Sequence, residues 1–312
     1  MAETLDLAMV RAAAERIREY VLRTPTLQCA IQDTQLFLKA ESLQPTGAFK
    51  LRGAFSLMTT LEPGTGVVAH SSGNHAQAVA RAAAVLGLPA VVVMPSDAPP
   101  RKRAATEADG AEVVVVGPDS DEREQVAHEL ARDRGWFEVP PFDHPLIAAG
   151  QGTAALELLE DAPEFDHFYA PISGGGLMAG CAVVMRELAP GCELVGVEPE
   201  AGDDTRRSLA AGERVKVPPP ETIADGLRVR TPGAIPWPVL RDHVARIEVV
   251  TDDELLSAMA WALTELRLVL EPSGAASLAV ARREGRGRCG VLLSGGNADP
   301  HLLARAVERG AA

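Results

Sequence analysis

Short β-branched runs alternate with alanine-rich helical segments along most of this chain, and that alternation restricts it to parallel strands joined by helices. The strands read as "GVVAH" (66–70), "AVVVMP" (90–95), "AEVVVVG" (111–117), "HFYAPI" (167–172), "ELVGVEP" (193–199), "ARIEVV" (245–250) and "CGVLLSG" (289–295). Helices are predicted between them, over Asn74–Leu86, Glu122–Arg134 and Ala148–Glu160. Two segments break the rhythm, "LEPGTG" (61–66) and the proline-rich "VPPFDHP" (139–145). They set off a small lobe, 65–142, from a large lobe made of 1–64 and 143–312. The expected fold class is therefore α/β, two lobes that are each an open, twisted, mostly parallel sheet flanked by helices, with the active site in the cleft between them. "VPPPET" (217–222) reads as an extended linker inside the large lobe.

Composition narrows the partners. A 312-residue chain that is 46% hydrophobic can bury a full core. Its formal charge of −13 and lack of a basic stripe argue against nucleic acid or an anionic membrane as partner and favour a small metabolite. Cys29, Cys181, Cys192 and Cys289 lie far apart, without metal-ligand or disulfide spacing, and read as reduced thiols. No apolar run reaches membrane-spanning length, and the first twenty residues look like an amphipathic helix rather than a signal peptide. A cytoplasmic protein is expected.

In open α/β sheets ligands gather beyond the carboxyl ends of the strands. Four such places carry chemistry. "HSSGNHAQA" (70–78) would set Ser71, Ser72, Gly73 and Asn74 at a helix N-terminus, suited to an anion or simply to capping. "APISGGGLMAG" (170–180) runs a strand through three glycines into a helix, so bare backbone N–H groups can close on a phosphate. The same stretch fits the dinucleotide fingerprint at Gly174, Gly176 and Ala179, with Glu198 at the distance of a ribose-binding acid, which keeps a nicotinamide-dependent oxidoreductase open. "VEPEAGDD" (197–204) places Glu198 and Asp204 around Gly202, either solvated acids or ligands for a hard cation. Finally, "VLLSGGNAD" (291–299) offers the Ser294 hydroxyl at a strand end.

Lysine is rare here. Only Lys39, Lys50, Lys102 and Lys216 occur among 30 basic residues. Lys50, in "LQPTGAFKLRGAF", is flanked by Phe49 and Leu51. A buried lysine can lose its proton and attack a carbonyl, which arginine cannot. The alternative is an ammonium that reaches solvent past apolar neighbours on a helix from Ala48 to Leu57.

"TGAFKLRGA", "SSGNHAQA", "AGQGTAALEL", "SGGGLMAG", "GVEPEAGDD", "ETIADGL", "EPSGAA" and "LLSGGN" occur in this order. The ordered set resembles the serine/threonine dehydratase and serine racemase family, the fold-type II, tryptophan synthase β-like pyridoxal-phosphate enzymes, from about Arg23 to Asp299. The resemblance implies that Lys50 holds pyridoxal 5'-phosphate as a Schiff base. It implies that Ser173, Gly174, Gly175, Gly176 and Leu177 cradle the phosphate, that Asn74 bonds the ring's 3′-oxygen, that Phe49 packs near the ring and that Ser294 faces the pyridine nitrogen. Ser71, Ser72, Asn74 and His75 would receive the substrate carboxylate, and Glu198, Asp204 and the Gly202 carbonyl would bind a divalent cation (Mg²⁺, Mn²⁺ or Ca²⁺). A homodimer is implied as well.

On that resemblance Lys50 removes the α-proton, the cofactor spreads the resulting charge, and loss of the β-hydroxyl yields a 2-oxo acid and ammonia. The expected activity is dehydrative deamination of L-threonine or L-serine. Serine racemase is the nearest competitor, with Ser72 as the acid opposite Lys50. "PFDHP" before "AGQGT" favours the dehydratases, because animal racemases place Asn where Phe142 stands. Arg228 and Arg230 can instead neutralise a second carboxylate, which would suit 3-hydroxyaspartate, although surface arginines are the preferred reading. Pro45 and Ala48 depart from relatives that carry a basic residue and Ser there. No C-terminal regulatory domain, and hence no isoleucine feedback through one, is expected after "SGGNADPH".

Overall fold

The computed structural model describes residues 5–310 except 72, 99 and 163, together with the backbone but not the side chain of 120. Ten strands are present among the described residues: β1 Thr26–Ile31, β2 Thr34–Lys39, β3 Val67–His70, β4 Ala90–Pro95, β5 Glu112–Val116, β6 Phe137–Glu138, β7 His167–Pro171, β8 Glu193–Pro199, β9 Arg246–Val250 and β10 Arg288–Leu292. They form a six-stranded sheet in the order β1-β2-β10-β7-β8-β9 and a four-stranded sheet in the order β5-β4-β3-β6. Every pairing is parallel except the β1–β2 hairpin. All four strands of the smaller sheet fall between residues 67 and 138.

Strand alternation explains the layering. Successive residues of β7 point to opposite faces, so Phe168 and Ala170 join one core with Met178 and Leu292, while Tyr169 joins the other with Leu36, Val195 and Val291. In the smaller sheet Val67 and Ala69 face one cluster and Val68 the other. Both faces of each sheet are covered, as parallel sheets require. Each fully buried Val, Leu or Phe here contributes roughly 1.5–3 kcal/mol.

Several elements differ from the sequence expectations. The hairpin β1–β2 and the two-residue β6 were not expected. The helix carrying Lys50 spans Lys50–Met58 rather than starting at Ala48, because Ala48 makes a β-bridge to Gly295. The helices predicted from Glu122 and Ala148 begin earlier, at Ser120 and Pro145, where Asp119 and His144 cap them. Helix Pro145–Asp161 crosses helix Gly176–Leu188 very closely; a Cβ on Gly180 would run into the Ala148 carbonyl. That contact fixes the N-terminus of Gly176–Leu188 beside the end of β7. Among the described residues no helix is long and apolar enough to cross a membrane.

Candidate active site

The carboxyl ends of β3, β7 and β10 open on one cavity of about 490 Å³. Ser71, Asn74, Ser173–Leu177 and Ser294 reach it from those three ends, and Phe49 and Lys50 line it from the start of their helix. The structure thus brings together every cofactor and substrate residue singled out in the sequence, apart from Ser72, which lies outside the described residues.

Lys50 is the first residue of its helix. The turn before it is tied down by the Phe49 N–H, which donates to Ser294 O at 3.0 Å. The Lys50 Nζ donates to the Pro141 carbonyl at 2.7 Å and sits 5.3 Å from the Phe49 ring centre. Burial brings its amine down to about 8 from an ordinary lysine value. A neutral, nucleophilic fraction is therefore available near physiological pH. Competitive acylation of the cofactor-free protein should show Lys50 reactivity rising with a midpoint near pH 8, well below that of an exposed lysine; a midpoint at the ordinary lysine value would contradict the buried amine.

Across the cavity β7 ends in the glycine loop. Gly175 holds φ at +90°, a left-handed value that glycine adopts without strain, and caps helix Gly176–Leu188. A helix N-terminus wrapped by bare backbone favours an anion. Ser173 Oγ is buried there without a hydrogen-bond partner among the described residues. This orphaned hydroxyl and the glycine cradle fit the phosphate of pyridoxal 5'-phosphate, and the Lys50 amine in the same cavity fits its aldehyde.

Ser71 Oγ accepts the Gly73 N–H at 3.1 Å. Asn74 begins helix Asn74–Leu86, donating from Nδ2 to Glu271 at 2.5 Å and accepting on Oδ1 from Asn297 Nδ2 at 2.9 Å. His75 turns its ring away from an ionic role, because Nε2 donates to the Val139 carbonyl at 2.9 Å and burial, with the Lys50 charge nearby, lowers its pKa to about 3. Only its backbone N–H remains suited to a carboxylate. Ser294 is buried, with Oγ 3.5 Å from Ser273 O. Arg228 and Arg230 line the cavity mouth, yet Arg228 donates to Thr222 O and Arg230 to Val217 O while facing Asp121 at 3.5 Å.

Glu198, Gly202 and Asp204 lie apart from this cavity. Glu198 is the penultimate residue of β8, and its oxygens accept the Thr205 and Arg206 N–H groups, each at 2.9 Å. Asp204 is buried with Oδ2 unpartnered among the described residues. Burial, with a smaller push from Asp203, raises Glu198 to about 7, and burial together with the Glu198 charge raises Asp204 to about 8. Their neighbour Asp203 already pairs with Arg206 and Arg207. Among the described residues no group of three His, Cys, Asp or Glu side chains converges as a metal cage, so any cation here relies on two carboxylates plus backbone oxygen.

Several cavity residues escaped the sequence reading, Glu271, Lys102 and Arg123 among them. Glu271 stands within the "EPSGAA" motif, which gives it no role of its own; Lys102 lies on helix Pro100–Ala108 and Arg123 on helix Ser120–Arg134. Lys102 Nζ pairs with Asp225 at 2.5 Å, and Arg123 lines the cavity with Nε buried and unpartnered among the described residues.

A glycine loop at a helix N-terminus and a desolvated lysine in one cavity, carried by two mostly parallel sheets, are the arrangement expected of a fold-type II pyridoxal-phosphate enzyme. Residues 17–295 match the family described as "Pyridoxal-phosphate dependent enzyme", and the chain belongs to that family. It is 41% identical to the L-threo-3-hydroxyaspartate ammonia-lyase of Saccharomyces cerevisiae, over 92% of this chain and 91% of the relative. It is 40% identical to the serine racemase of Schizosaccharomyces pombe, over 93% of each. The solved structure of the T.th. threonine deaminase superposes with a TM-score of 0.90 at 46% identity, covering 94% of this chain and 99% of that one. The ammonia-lyases and racemases of the family therefore bracket this enzyme, and the nicotinamide reading is set aside.

Proposed function

We propose that the chain catalyses dehydrative deamination of a small L-3-hydroxy amino acid, threonine or serine first, to a 2-oxo acid and ammonia. The observation that carries this reading is the desolvated Lys50 amine, lowered to about 8, in the same cavity as the glycine cradle. When bound, the cofactor supplies an electron sink for the α-carbon. Lys50 anchors it and then, released, takes the α-proton. Ser173 to Leu177 hold its phosphate, while Phe49, Asn74 and Ser294 orient its ring. Ser71, Ser72, Asn74 and the His75 N–H bind the substrate carboxylate. Ser294, a neutral hydroxyl, would meet the pyridine nitrogen without offering a charge to keep it protonated. Residues 65–142 act as the mobile, substrate-side lobe, and the enzyme works as a homodimer.

A second reading, 3-hydroxyaspartate as substrate, is supported by Arg123. Its guanidinium lines the cavity with Nε unpartnered among the described residues, a suitable counter-charge for a second carboxylate. Two ammonia-lyase relatives, from Saccharomyces cerevisiae and Pseudomonas sp, carry that substrate in their names. Holoenzyme should be given L-threonine, L-serine and L-threo-3-hydroxyaspartate in turn while 2-oxo acid and D-serine are followed. Dominant 2-oxo acid supports the lyase, and its best substrate decides between the two readings. Dominant D-serine would make it a racemase.

Glu198, Asp204 and the Gly202 carbonyl are proposed to bind the divalent cation, which would relieve two mutually repelling buried carboxylates. Mg²⁺, Mn²⁺ or Ca²⁺ at about 100 times its Kd should stabilise the fold by about 2.7 kcal/mol and raise Tm by about 4 °C. Asp204→Asn should abolish that rise. Equal shifts in wild type and variant would place the cation elsewhere.

A further inference from the structure

Glu271 is a buried acidic side chain of the cavity that the proposed reaction leaves without a role. It stands just before helix Pro272–Glu284, in the N-cap position, but does not cap the helix with its side chain. Its backbone is pinned by the N–H bond to Gly295 O at 3.1 Å. The residue is 2% exposed and lines the cavity. Oε1 occupies the space a side chain on Gly295 would take, and accepts from Asn74 Nδ2. Oε2 is buried without a hydrogen-bond partner among the described residues. A buried carboxyl with one oxygen unsatisfied costs stability unless something else uses it.

The Asn74 amide shows what that use is. Its Oδ1 is occupied by Asn297 Nδ2, which is itself held by donating to the Thr46 carbonyl at 2.7 Å. One Nδ2 hydrogen points to Glu271. An amide has two donors and one oxygen, so a single N–H remains for a ligand. A flip of the amide would set its oxygen against a carboxylate oxygen. The chain Thr46–Asn297–Asn74–Glu271 thus locks Asn74 as a donor toward the cavity, and the carboxylate end supplies the charge-assisted link.

We propose that Glu271 is a positioning residue that fixes Asn74 as a hydrogen-bond donor to the cofactor and, by gaining or losing its proton, changes the strength of that donor. The inference rests on the reading above that the cofactor lies against Asn74. In the ionised state Glu271 polarises the Asn74 amide; protonated, it weakens that bond and turns an O–H toward the cavity. The groups facing it are Asn74 from the start of its helix, Asp225 from the turn Asp225–Leu227, and Lys102 from helix Pro100–Ala108, with Asp299 acting on Lys102. Burial, then the Asp225 charge, raises the Glu271 carboxyl to about 7, while Lys102 and the Asn74 bond oppose them. The switch therefore falls near neutral pH.

The test is a visible-absorbance titration of holoenzyme from about pH 5.5 to 9, spanning the raised carboxyl, with cofactor affinity measured alongside, for wild type and four variants. Wild type should show an inflection near pH 7. Glu271→Gln should remove it yet keep cofactor affinity within about 3-fold, because a side-chain oxygen still meets Asn74. Glu271→Ala should weaken cofactor binding by about 10-fold or more through the unlocked amide. Asp225→Asn should move the inflection to lower pH, since it removes the negative charge that disfavours ionisation, and Lys102→Met should move it higher. These opposite shifts need no change at Glu271 itself and would not arise from a purely structural carboxyl. An inflection that survives Glu271→Gln, or that neither neighbour moves, overturns the inference. Absence of any cofactor band in wild type would instead overturn the cofactor reading on which it stands.

Discussion

Lys50→Ala should lower turnover by about 10⁴-fold, at the upper end of what a positioned proton-transfer group supplies, because one side chain both anchors the cofactor and takes the α-proton. The covalent chromophore should vanish with it, although phosphate binding at Ser173–Leu177 should persist and leave a weakly held, dialysable cofactor. Stability should move the other way. The Lys50 ammonium is desolvated and donates to the Pro141 carbonyl. Its folded pKa of about 8 lies below the ordinary lysine value, so the charged form opposes folding. That penalty is fully present below about pH 8 and fades as pH rises toward the ordinary lysine value of 10.5. Cofactor-free Lys50→Ala should therefore melt at or above the wild-type temperature at about pH 7, with the advantage shrinking by about pH 10. A variant that lost both activity and several degrees of Tm would make Lys50 a structural residue and undo the assignment.

Strands β4 and β8, and helix Asn74–Leu86, match the limits expected from sequence because each is a pure local pattern: an apolar run between turn signals, or alanines at helical spacing closed by Gly87. The glycine loop at 174–176 and Lys50 were equally visible, since a run of glycines and a rare residue type need no tertiary context. Hairpin β1–β2 was hidden. Its strands "TLQCAI" and "TQLFLK" mix Gln, Cys and Lys with apolar residues, and its turn uses Gln32 at φ +51° where glycine or asparagine would have announced it. Lys39 ends β2 with a fully buried ammonium, which no alternation rule anticipates. Glu271 and Arg123 were missed for a related reason. Charged residues read as exposed until the fold shows what surrounds them.

The same blindness covered a buried charge network that begins two residues beyond Lys50 on the same helix. Arg52 is fully buried and donates to Glu41 through Nε and Nη2, each at 2.8 Å, and to Glu157 through Nη1 at 2.7 Å and Nη2 at 2.8 Å. Lys39 Nζ joins Glu157 at 2.6 Å, and Thr24 Oγ1 donates to Glu41 at 2.6 Å. Two cations and two carboxylates thus neutralise one another where β2, helix Lys50–Met58 and helix Pro145–Asp161 meet. Burial would raise Glu41, but the Arg52 charge and hydrogen bonds, with Thr24 and Lys39, hold it below the ordinary carboxylate range. Removing one partner strands the others. Arg52→Ala should destabilise the protein by about 3–5 kcal/mol and lower Tm by about 5–8 °C. Arg52→Lys should lose much of the same amount, since a point charge cannot fork to two carboxylates.

The pH dependence separates this account from simple loss of packing. In wild type the lowered pKa of Glu41 contributes stability above its unfolded value that is lost as pH falls through the folded one. In Arg52→Ala burial dominates, Glu41 prefers its proton, and the folded state gains on acidification. The gap in Tm between the two proteins should therefore narrow steadily from about pH 8 to about pH 4.5. A constant gap would show that Arg52 acts through its volume. Because the network braces the first turn of the helix that presents Lys50, Arg52→Lys should also reduce kcat at temperatures well below its melting point, which thermal denaturation alone does not do.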